Sequence, residues 1–273
     1  MEPLPQETLL PESIITLTTD YGTDDHLVGT LKGVILKINP DTKIVDINHH
    51  VAPFDVLDGA LSIGAAYRYF PPRTVHLVVV DPGVGTQRRP ILASGDQHYF
   101  VAPDNGVLSL VYDKMSMLSV RHITADHYFL SPISNTFHGR DIFAPVAAWL
   151  AKTGQAASFG EEVSDFARFS LPKPKASDNT VKGVVLRVDH FGNLMTNFSP
   201  ENVPQLTAPG GKIKILVGGK EIHQFAQTYA QGAPGEVFAI LGSSDFLEIS
   251  VNKGSAARAL GVQRGAEVTV ELG

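Results

Sequence analysis

The amino-acid sequence predicts an α/β fold in two parts, an N-terminal α/β domain with a largely parallel central sheet and a smaller C-terminal all-β barrel domain. In the first part, strand-like runs alternate with amphipathic helical stretches, which is typical of a parallel sheet covered by helices. Residues 170–180 read SLPKPKASDNT, a composition typical of a linker. The predicted boundaries are 13–165 for the N-terminal domain, 166–180 for the linker and 181–273 for the C-terminal domain.

Periodicity predicts the elements of the N-terminal domain in order. A β-branched run at 13–19 precedes a stretch in which apolar residues recur every three or four positions, which predicts a helix that ends at Pro40. The apolar run VHLVVV is typical of a strand covered on both faces. The predicted strands are 13–19, 43–47, 75–80 and the hairpin 91–94 with 99–102, and the further helices are 55–69 and 141–153.

The C-terminal domain is predicted to contain almost only strands. Gly218-Gly219 lies between two strand-like runs and is a strong hairpin signal, because glycine adopts the positive φ angles of a two-residue turn. The predicted strands are 181–188, 212–217, 220–225, 237–241, 247–251 and 267–271. Short strands in this number are typical of a small antiparallel barrel or sandwich.

Composition excludes several kinds of chemistry. The 273 residues include no cysteine, which excludes disulfides, thiolate nucleophiles and zinc–thiolate sites. The formal net charge of −6 argues against nucleic acid and anionic membranes as partners, because these favour a basic surface. No apolar run reaches the roughly 18 residues that a membrane span needs. We therefore expect a cytoplasmic protein with no nucleic-acid or membrane partner.

Polar residues follow two predicted strands in places that core packing does not require. The run TTDYGTDD at 18–25 follows the first strand, at the edge where open α/β sheets bind ligands. Asp20 is suited to accept hydrogen bonds from a pair of ribose hydroxyls, whereas Asp25 is typical of a helix N-cap. The run VDPGVGTQRR at 80–89 carries Asp81 and Arg88 in a glycine-rich loop, where they form either part of a site or a structural ion pair.

Two further segments are candidates for a site. In NTFHGRD at 135–141, only the position of His138 and its glycine neighbour distinguish it among the 10 histidines. In the C-terminal domain, DHFGN at 189–193 and GSSDFLE at 242–248 bring acids, amides and hydroxyls to predicted turns. Such side chains suit recognition of an amino acid or a base edge, but they also form turns without any ligand.

In combination, these segments resemble a known family. The motifs TTDYGTDD, VVVDPGVGTQRR, PDNG, TFHGRDIF, DHFGN and GSSDFLEISVN occur in this order. From about Ile14 to its C-terminus, the chain resembles the S-adenosyl-L-methionine hydroxide adenosyltransferases, the hydrolytic relatives of the fluorinase and chlorinase enzymes. The resemblance implies an α/β N-terminal domain, a β-barrel C-terminal domain and a homotrimer. The substrate is then expected between the N-terminal domain of one subunit and the C-terminal domain of the next.

The resemblance also implies a reaction and residues for it. Water or hydroxide attacks the ribose C5′ of S-adenosyl-L-methionine and releases adenosine and L-methionine, without a cofactor or a metal. Asp81, Arg88 and His138 match the catalytic positions. The matched binding positions are Asp20 for the ribose diol, Phe54 for packing on the nucleoside, Asp189 and Ser243 for the methionine end, Phe191 and Asn193 for adenine, and Tyr229 for adenine stacking. Asp245 departs from the family pattern, which has glycine at this position.

The main requirement of such a reaction is activation of the nucleophile. The leaving group departs as a neutral thioether and needs no acid, whereas water, with a pKa of about 15.7, must be oriented and partly deprotonated. His138 is one candidate base and Asp81 another; Arg88, for which Arg89 is a rival, cannot take a proton at neutral pH. Three alternative functions stay open: halide-using adenosyl transfer, a calcium-dependent nucleoside hydrolase, and a non-catalytic sensor of S-adenosyl-L-methionine or adenosine.

Overall fold

The computed structural model describes residues 13–207 and 213–272, and the chain divides into two compact units between Ser170 and Leu171. Unit 1 is an α/β structure and unit 2 is built mainly of strands. The predicted start of a strand at Lys212 and the predicted domain end at 273 lie outside the described residues. The domain and linker boundaries 13–165, 166–180 and 181–273 stay predictions.

Unit 1 has six strands and four α-helices within its described residues. The strands are β1 (Ile14–Thr19), β2 (Lys43–Asn48), β3 (Val75–Val79), β4 (Pro90–Gly95), β5 (His98–Pro103) and β6 (Ser119–His122). The helices are α1 (Leu27–Ile38), α2 (Val56–Ala66), α3 (Ser109–Tyr112) and α4 (Ala144–Thr153), and a π-helical turn, Gly139–Phe143, leads into α4. The sequence pattern predicts all of these elements except β6, α3 and the π-helical turn.

The sheet of unit 1 is mixed and rich in parallel pairs. Its strand order is β2-β1-β3-β5-β4-β6, in which the first three pairs are parallel and the last two are antiparallel. In the parallel pair of β1 and β3, Thr19 lies opposite Val79. Both strands therefore end at the same edge of the sheet, and the segments that carry Asp20 and Asp81 leave from that edge side by side.

Helices cover both faces of this sheet. On one face, Leu31 and Ile35 of α1 pack with buried residues of α4 against β1 and β3. On the other face, Ile63 of α2 packs with Val78 and Phe100. Every residue of β3 is buried, as predicted for a strand covered on both sides. No helix among the described residues has the length and apolar character to cross a membrane.

Unit 2 is a nine-stranded, mostly antiparallel sheet with one short α-helix among its described residues. The strands are β7 (Lys175–Ser177), β8 (Thr180–Val188), β9 (Leu194–Thr196), β10 (Ile213–Val217), β11 (Lys220–Ile222), β12 (Phe225–Ala226), β13 (Val237–Leu241), β14 (Leu247–Val251) and β15 (Glu267–Leu272), and the helix is α5 (Ala256–Leu260). The order is β11-β10-β15-β8-β9-β14-β13-β12, with β7 beside β8, and only β12 and β13 are parallel.

One large core fills most of unit 2, beside a small separate cluster of Ala226, Phe238 and Ile240. Val181 of β8, Ile215 of β10 and Ile249 of β14 belong to one buried cluster, so strands from distant positions in the sheet order bend around the same apolar centre. The hydrogen-bonded strand order ends at β11 and β12. The predicted closed barrel stays a prediction.

Unit 1 buries a histidine pair between its strands. His76 of β3 is fully buried, and its ring stacks on that of Phe100 with 4.8 Å between the ring centroids. Its Nδ1 lies 2.7 Å from Thr16 Oγ1, and its Nε2 lies 3.3 Å from His98 Nδ1. Burial, reinforced by the neighbouring His98, lowers the pKa of His76 to about 3. The core therefore holds His76 in its neutral form, and its protonation disfavours the folded state.

We expect unit 1 to lose stability as the pH falls from about 6.5 towards 3. Below about pH 6.5 the unfolded chain protonates His76 and the folded chain does not, so the free energy of unfolding falls by about 2 kcal/mol between pH 7 and pH 5. This contribution should be absent in His76→Asn, which retains a polar group for Thr16, while any fall due to the lowered pKa values of His98 and His138 should remain. Urea unfolding measured by the fluorescence of Trp149, the only tryptophan of the chain, tests the prediction.

The exposed His26 provides the control for this prediction, since His26→Asn should retain the full pH dependence. Equal losses of stability in the wild type and in His76→Asn would contradict the assignment to His76.

Candidate active site

Three predicted site residues form one hydrogen-bonded cluster. The Nε of Arg88 donates to both carboxylate oxygens of Asp81, at 3.0 and 2.9 Å, and its Nη2 donates to Oδ2 as well. The same Nη2 lies 2.8 Å from Nδ1 of His138. The side chains of Asp81 and Arg88 are only 5% and 9% exposed, so this pair is far less screened by water than a surface ion pair.

The geometry fixes the tautomer of His138. A guanidinium has only hydrogen-bond donors, so Nδ1 of His138 accepts from Arg88 and the neutral ring carries its proton on Nε2. Burial, and next the positive charge of Arg88, lower the pKa of His138, while Asp81 and Asp141 act in the opposite direction. The cluster therefore presents a carboxylate, a guanidinium and a neutral imidazole whose Nε2–H is a donor.

Tight loops bring these residues together. Asp81 lies two residues after the end of β3, and Asn105 of the PDNG segment donates from its Nδ2 to the carbonyl of Val80, between them, at 2.8 Å. Gly85 has a φ of 78°, and a Cβ at this position would overlap the carbonyl oxygen of Asn135. Glycine at this position therefore allows the loop of Arg88 to lie against the segment that precedes His138.

The two neighbouring arginines have different partners. Arg89 donates to Asp104 through Nε at 2.9 Å and to Asp165 through Nη1 at 2.8 Å. The contacts of Arg89 therefore anchor a later segment of unit 1, whereas those of Arg88 join Asp81 to His138. Arg88 is therefore the arginine that pairs with Asp81, and its catalytic role stays a prediction.

Tyr21 lies against the His138 segment, although the sequence analysis assigns it no role. A Cβ at Gly139 would overlap Tyr21 Oη, so the absence of a side chain at position 139 makes room for the phenol. Burial raises the pKa of Tyr21, and the carboxylates of Asp20 and Asp81 raise it further. The only signal in the sequence is the position of Tyr21 directly after Asp20.

Asp20 accepts a hydrogen bond from the segment that carries Phe54. The backbone N–H of Phe54 donates to Asp20 Oδ2 at 2.9 Å. Phe54 has a φ of 65°, a strained conformation for a bulky residue, and its side chain is 72% exposed. Burial raises the pKa of Asp20, and the Phe54 N–H acts against this effect. Asp25 accepts a hydrogen bond from the N–H of Leu27 at 2.9 Å, but the N-cap of α1 is His26, so the prediction that Asp25 is the N-cap is wrong by one residue.

Unit 2 contains a cavity of about 480 Å³ that four of the predicted binding residues line. These four are Asp189, Phe191, Asn193 and Tyr229. The other lining residues are Val251, Lys253, Gly254 and Arg258, to which the sequence analysis assigns no role. Aromatic walls, an amide and charges of both signs suit a flat polar ligand that carries charged groups.

Internal hydrogen bonds hold two walls of this cavity. Asp189 Oδ1 accepts from the N–H groups of Phe191 and Asn193 at 2.9 and 2.8 Å, and Oδ2 accepts from Asn193 Nδ2 at 2.9 Å. On another wall, Tyr229 Oη donates to Glu248 Oε2 at 2.8 Å. Burial, and next the charge of Asp189, raise the pKa of Glu248. The ring of Tyr229 is thus tethered by a buried acid that sequence reasoning does not find.

The remaining predicted residue, Ser243, is exposed in the turn between β13 and β14 and does not line this cavity. Asp245 in the same turn has a φ of 63°. The resemblance implies glycine at this position, which suits a left-handed conformation, and aspartate is one of the few other residues that adopt it readily. Asp245 is therefore compatible with this turn.

The described residues include no group of three or more histidine, aspartate or glutamate side chains arranged to hold a metal ion. The predicted absence of a metal or cofactor stays a prediction. The cluster at the edge of the unit 1 sheet has the composition of an enzyme site, because a buried acid, a cation and a neutral imidazole are suited to orient one small polar nucleophile.

Comparison with known proteins identifies the family. Residues 15–160 match the SAM hydroxide adenosyltransferase N-terminal domain, and residues 183–269 match the corresponding C-terminal domain. The (R)-S-adenosyl-L-methionine hydrolase of Salinispora tropica is 38% identical, over 97% of this chain and 100% of that protein. The hydrolase of the same name from Methanocaldococcus jannaschii is 36% identical, over 94% of this chain and 95% of that protein.

More distant relatives and a solved structure agree with this result. A fluorinase from Nocardia brasiliensis is 28% identical over 95% of this chain and 97% of its own. The crystal structure of an uncharacterised conserved protein from Thermotoga maritima is 38% identical, covers 94% of this chain and 99% of its own, and superposes with a TM-score of 0.86. The chain belongs to the S-adenosyl-L-methionine hydroxide adenosyltransferase family.

We expect Gly139→Ala to destabilise unit 1 by about 1–3 kcal/mol, because the added methyl group overlaps the Tyr21 hydroxyl. The second substitution Tyr21→Phe removes that oxygen and should restore most of the loss. Urea unfolding of both single variants and the double variant, monitored by Trp149 fluorescence, gives the coupling energy.

Gly33→Ala in α1 is the matched control, because a Cβ at this position meets no atom within 4 Å. It should stabilise the protein by up to about 1 kcal/mol. Additive effects of Gly139→Ala and Tyr21→Phe would contradict the proposed overlap.

Proposed function

We propose that the protein hydrolyses S-adenosyl-L-methionine by attack of water or hydroxide on the ribose C5′, giving adenosine and L-methionine. The observation that carries this proposal is the hydrogen-bonded cluster of Asp81, Arg88 and His138 in a chain of this family. Four relatives at 35–38% identity, each matched over most of this chain, are named (R)-S-adenosyl-L-methionine hydrolase. The protein is therefore an enzyme that acts on S-adenosyl-L-methionine.

The reaction is an in-line displacement at a primary carbon. A new O–C5′ bond forms while the C5′–S bond breaks, and the sulfonium sulfur takes the bonding electron pair and leaves as the neutral thioether of methionine. The attacking water loses one proton, so adenosine gains a 5′-hydroxyl group. The protein has to hold one water molecule in line with the C5′–S bond and accept its proton, since the leaving group needs no acid.

We assign proton acceptance to Asp81. The Nδ1 lone pair of His138 is already used by Arg88, and Nε2 of the neutral ring carries a proton, so this ring has no free basic nitrogen in the present arrangement. The Asp81 carboxyl group lies against the Arg88 guanidinium, and a carboxylate has lone pairs beyond those that Arg88 uses. His138 Nε2–H and Arg88 then orient the water, and Arg88 stabilises its developing negative charge.

The proposed binding residues form two groups, one in unit 1 and one in unit 2. Asp20 accepts from the ribose hydroxyls, and Phe54 packs on the nucleoside. In the unit 2 cavity, Phe191, Asn193 and Tyr229 hold adenine. Asp189, together with Ser243, holds the methionine end of the substrate. The support is the clustering of Asp189, Phe191, Asn193 and Tyr229 around one cavity of suitable size.

The proposal also covers how the subunits assemble, where the enzyme works and whether it needs a cofactor. Phe54 and Phe191 are 72% and 73% exposed in the single chain, which favours their being covered by ligand or by a neighbouring copy. We propose a homotrimer in which unit 1 of one subunit and unit 2 of the next share each substrate. The enzyme works in the cytoplasm without a cofactor, and unit 2 closes into a barrel.

The configuration at sulfur is part of the proposal. The sulfonium of S-adenosyl-L-methionine is pyramidal, so the (R) and (S) forms present the leaving group in different orientations. The named relatives are hydrolases of the (R) form. We propose the same preference for this enzyme, and separate assays with the two epimers distinguish it from a general hydrolase.

Purified protein incubated with (R)-S-adenosyl-L-methionine should release adenosine and methionine in equal amounts. Asp81→Asn should lower kcat at least about 100-fold with little change in KM, because it removes the proton acceptor but retains a hydrogen-bonding partner for Arg88. His138→Gln retains an N–H donor and should lower kcat by only about tenfold. Chromatography of the products over time measures both parameters.

The reverse order, with His138→Gln the more damaging substitution, would transfer proton acceptance to His138. Formation of a 5′-halonucleoside in chloride or fluoride would favour halide-using adenosyl transfer. Tight adenosine binding without turnover of either epimer would favour a non-catalytic sensor, and chelator-sensitive release of ribose would favour a calcium-dependent nucleoside hydrolase.

A further inference from the structure

His49 holds the segment that carries Asp20 at two points. Its ring is buried, and Nδ1 lies 2.8 Å from Oγ1 of Thr19, the residue directly before Asp20. Its backbone carbonyl accepts the N–H of Gly22 at 2.7 Å, two residues after Asp20. The backbone on both sides of Asp20 is therefore tied to one residue, which follows the end of β2 in the DINHH segment.

The far side of the imidazole faces a carboxylate. Nε2 of His49 lies 3.0 Å from Asp46 Oδ1, and Asp46 Oδ2 accepts from Lys32 Nζ at 2.6 Å. The contact of Nε2 with Asp46 is electrostatic rather than a well-aligned hydrogen bond, since Nε2 has no partner with hydrogen-bond geometry. The negative charge favours a proton on Nε2, which leaves Nδ1 as the acceptor for the Thr19 hydroxyl.

The hydrogen bonds therefore form a chain that runs in one direction, from the Tyr21 N–H through the Thr19 hydroxyl to Nδ1 of His49. Thr19 uses its single hydroxyl proton towards His49, and its oxygen accepts the backbone N–H of Tyr21 at 3.3 Å. The chain segment that begins at His49 also leads to Phe54, whose N–H donates to the Asp20 carboxylate at 2.9 Å. His49 thus supports Asp20 through its own backbone and lies at the base of the loop that contacts the carboxylate.

We propose that His49 is a positioning residue that holds the Asp20 carboxylate in place for the 2′- and 3′-hydroxyls of the substrate ribose. It thereby sets the preference of the enzyme for ribonucleosides over 2′-deoxyribonucleosides. The inference rests on the proposed function, in which Asp20 binds the ribose diol. A site built to bind a hydroxyl rejects a ligand that lacks it only while its own polar groups stay in place.

Three substitutions separate this role from simple support of the fold. His49→Gln retains a polar group towards Asp46 and loses the contact with Thr19, whereas His49→Asn retains a polar group at the position of Nδ1. Thr19→Val removes the hydroxyl and leaves the imidazole in place. His50→Ala is the matched control, since its exposed ring makes only a 3.5 Å contact with Thr23.

The experiment measures how strongly the enzyme prefers a ribose to a 2′-deoxyribose. The wild type should bind adenosine at least about tenfold more tightly than 2′-deoxyadenosine in calorimetry, and should show a similar ratio of kcat/KM for S-adenosyl-L-methionine over its 2′-deoxyadenosyl analogue. In His49→Gln and Thr19→Val this ratio should fall towards one. The change should appear as a higher KM for S-adenosyl-L-methionine, while kcat is largely retained. His49→Asn and His50→Ala should retain the wild-type ratio.

Melting temperatures accompany these assays. If His49→Gln does not fold, Thr19→Val decides, because it leaves the buried ring in the core. A lower melting temperature with an unchanged ribose preference would overturn the inference and leave His49 with a structural role only. Absence of turnover in the wild type would reject the proposed hydrolysis, yet the adenosine and 2′-deoxyadenosine affinities would still test His49.

Discussion

The site depends on the hydrogen bonds that the Arg88 guanidinium makes. The guanidinium is the only group in the cluster that contacts both other members, since its Nε and Nη2 bind Asp81 and the same Nη2 binds His138. Because arginine stays protonated and has only donors, this bridge sets a cation against the Asp81 carboxylate and imposes a tautomer on His138 at once. The chemical character of all three side chains therefore follows from one guanidinium held in a nearly dry position.

The parallel pairing of β1 and β3 supplies the scaffold for that interaction. Thr19 opposite Val79 brings the Asp20 and Asp81 segments to one edge, and the π-helical turn before α4 begins directly after His138. A second polar network, through His49 and Thr19, supports the Asp20 side of the same edge. Two separate sets of buried polar contacts thus hold adjacent parts of the site.

The sequence predicts the alternating elements of unit 1 well because apolar periodicity reports which faces are covered. It does not predict β6, which is short and pairs with β4 only through long-range contacts. Asp81, Arg88 and His138 are assigned because their motifs resemble those of the family, whereas the residues alone leave His138 one candidate among the 10 histidines. Tyr21, His49 and Glu248 are missed, because their partners Gly139, Thr19 and Tyr229 are set by the tertiary fold and leave no local pattern.

The central claim is that water attacks the ribose carbon and that a thioether leaves. Hydrolysis in water enriched in oxygen-18, followed by mass spectrometry of both products, tests it most directly. Attack at C5′ gives adenosine that carries one heavy oxygen at its 5′-hydroxyl and methionine that carries none. Unlabelled adenosine, or label found in the methionine, would contradict attack at C5′ and with it the role given to the Asp81 cluster.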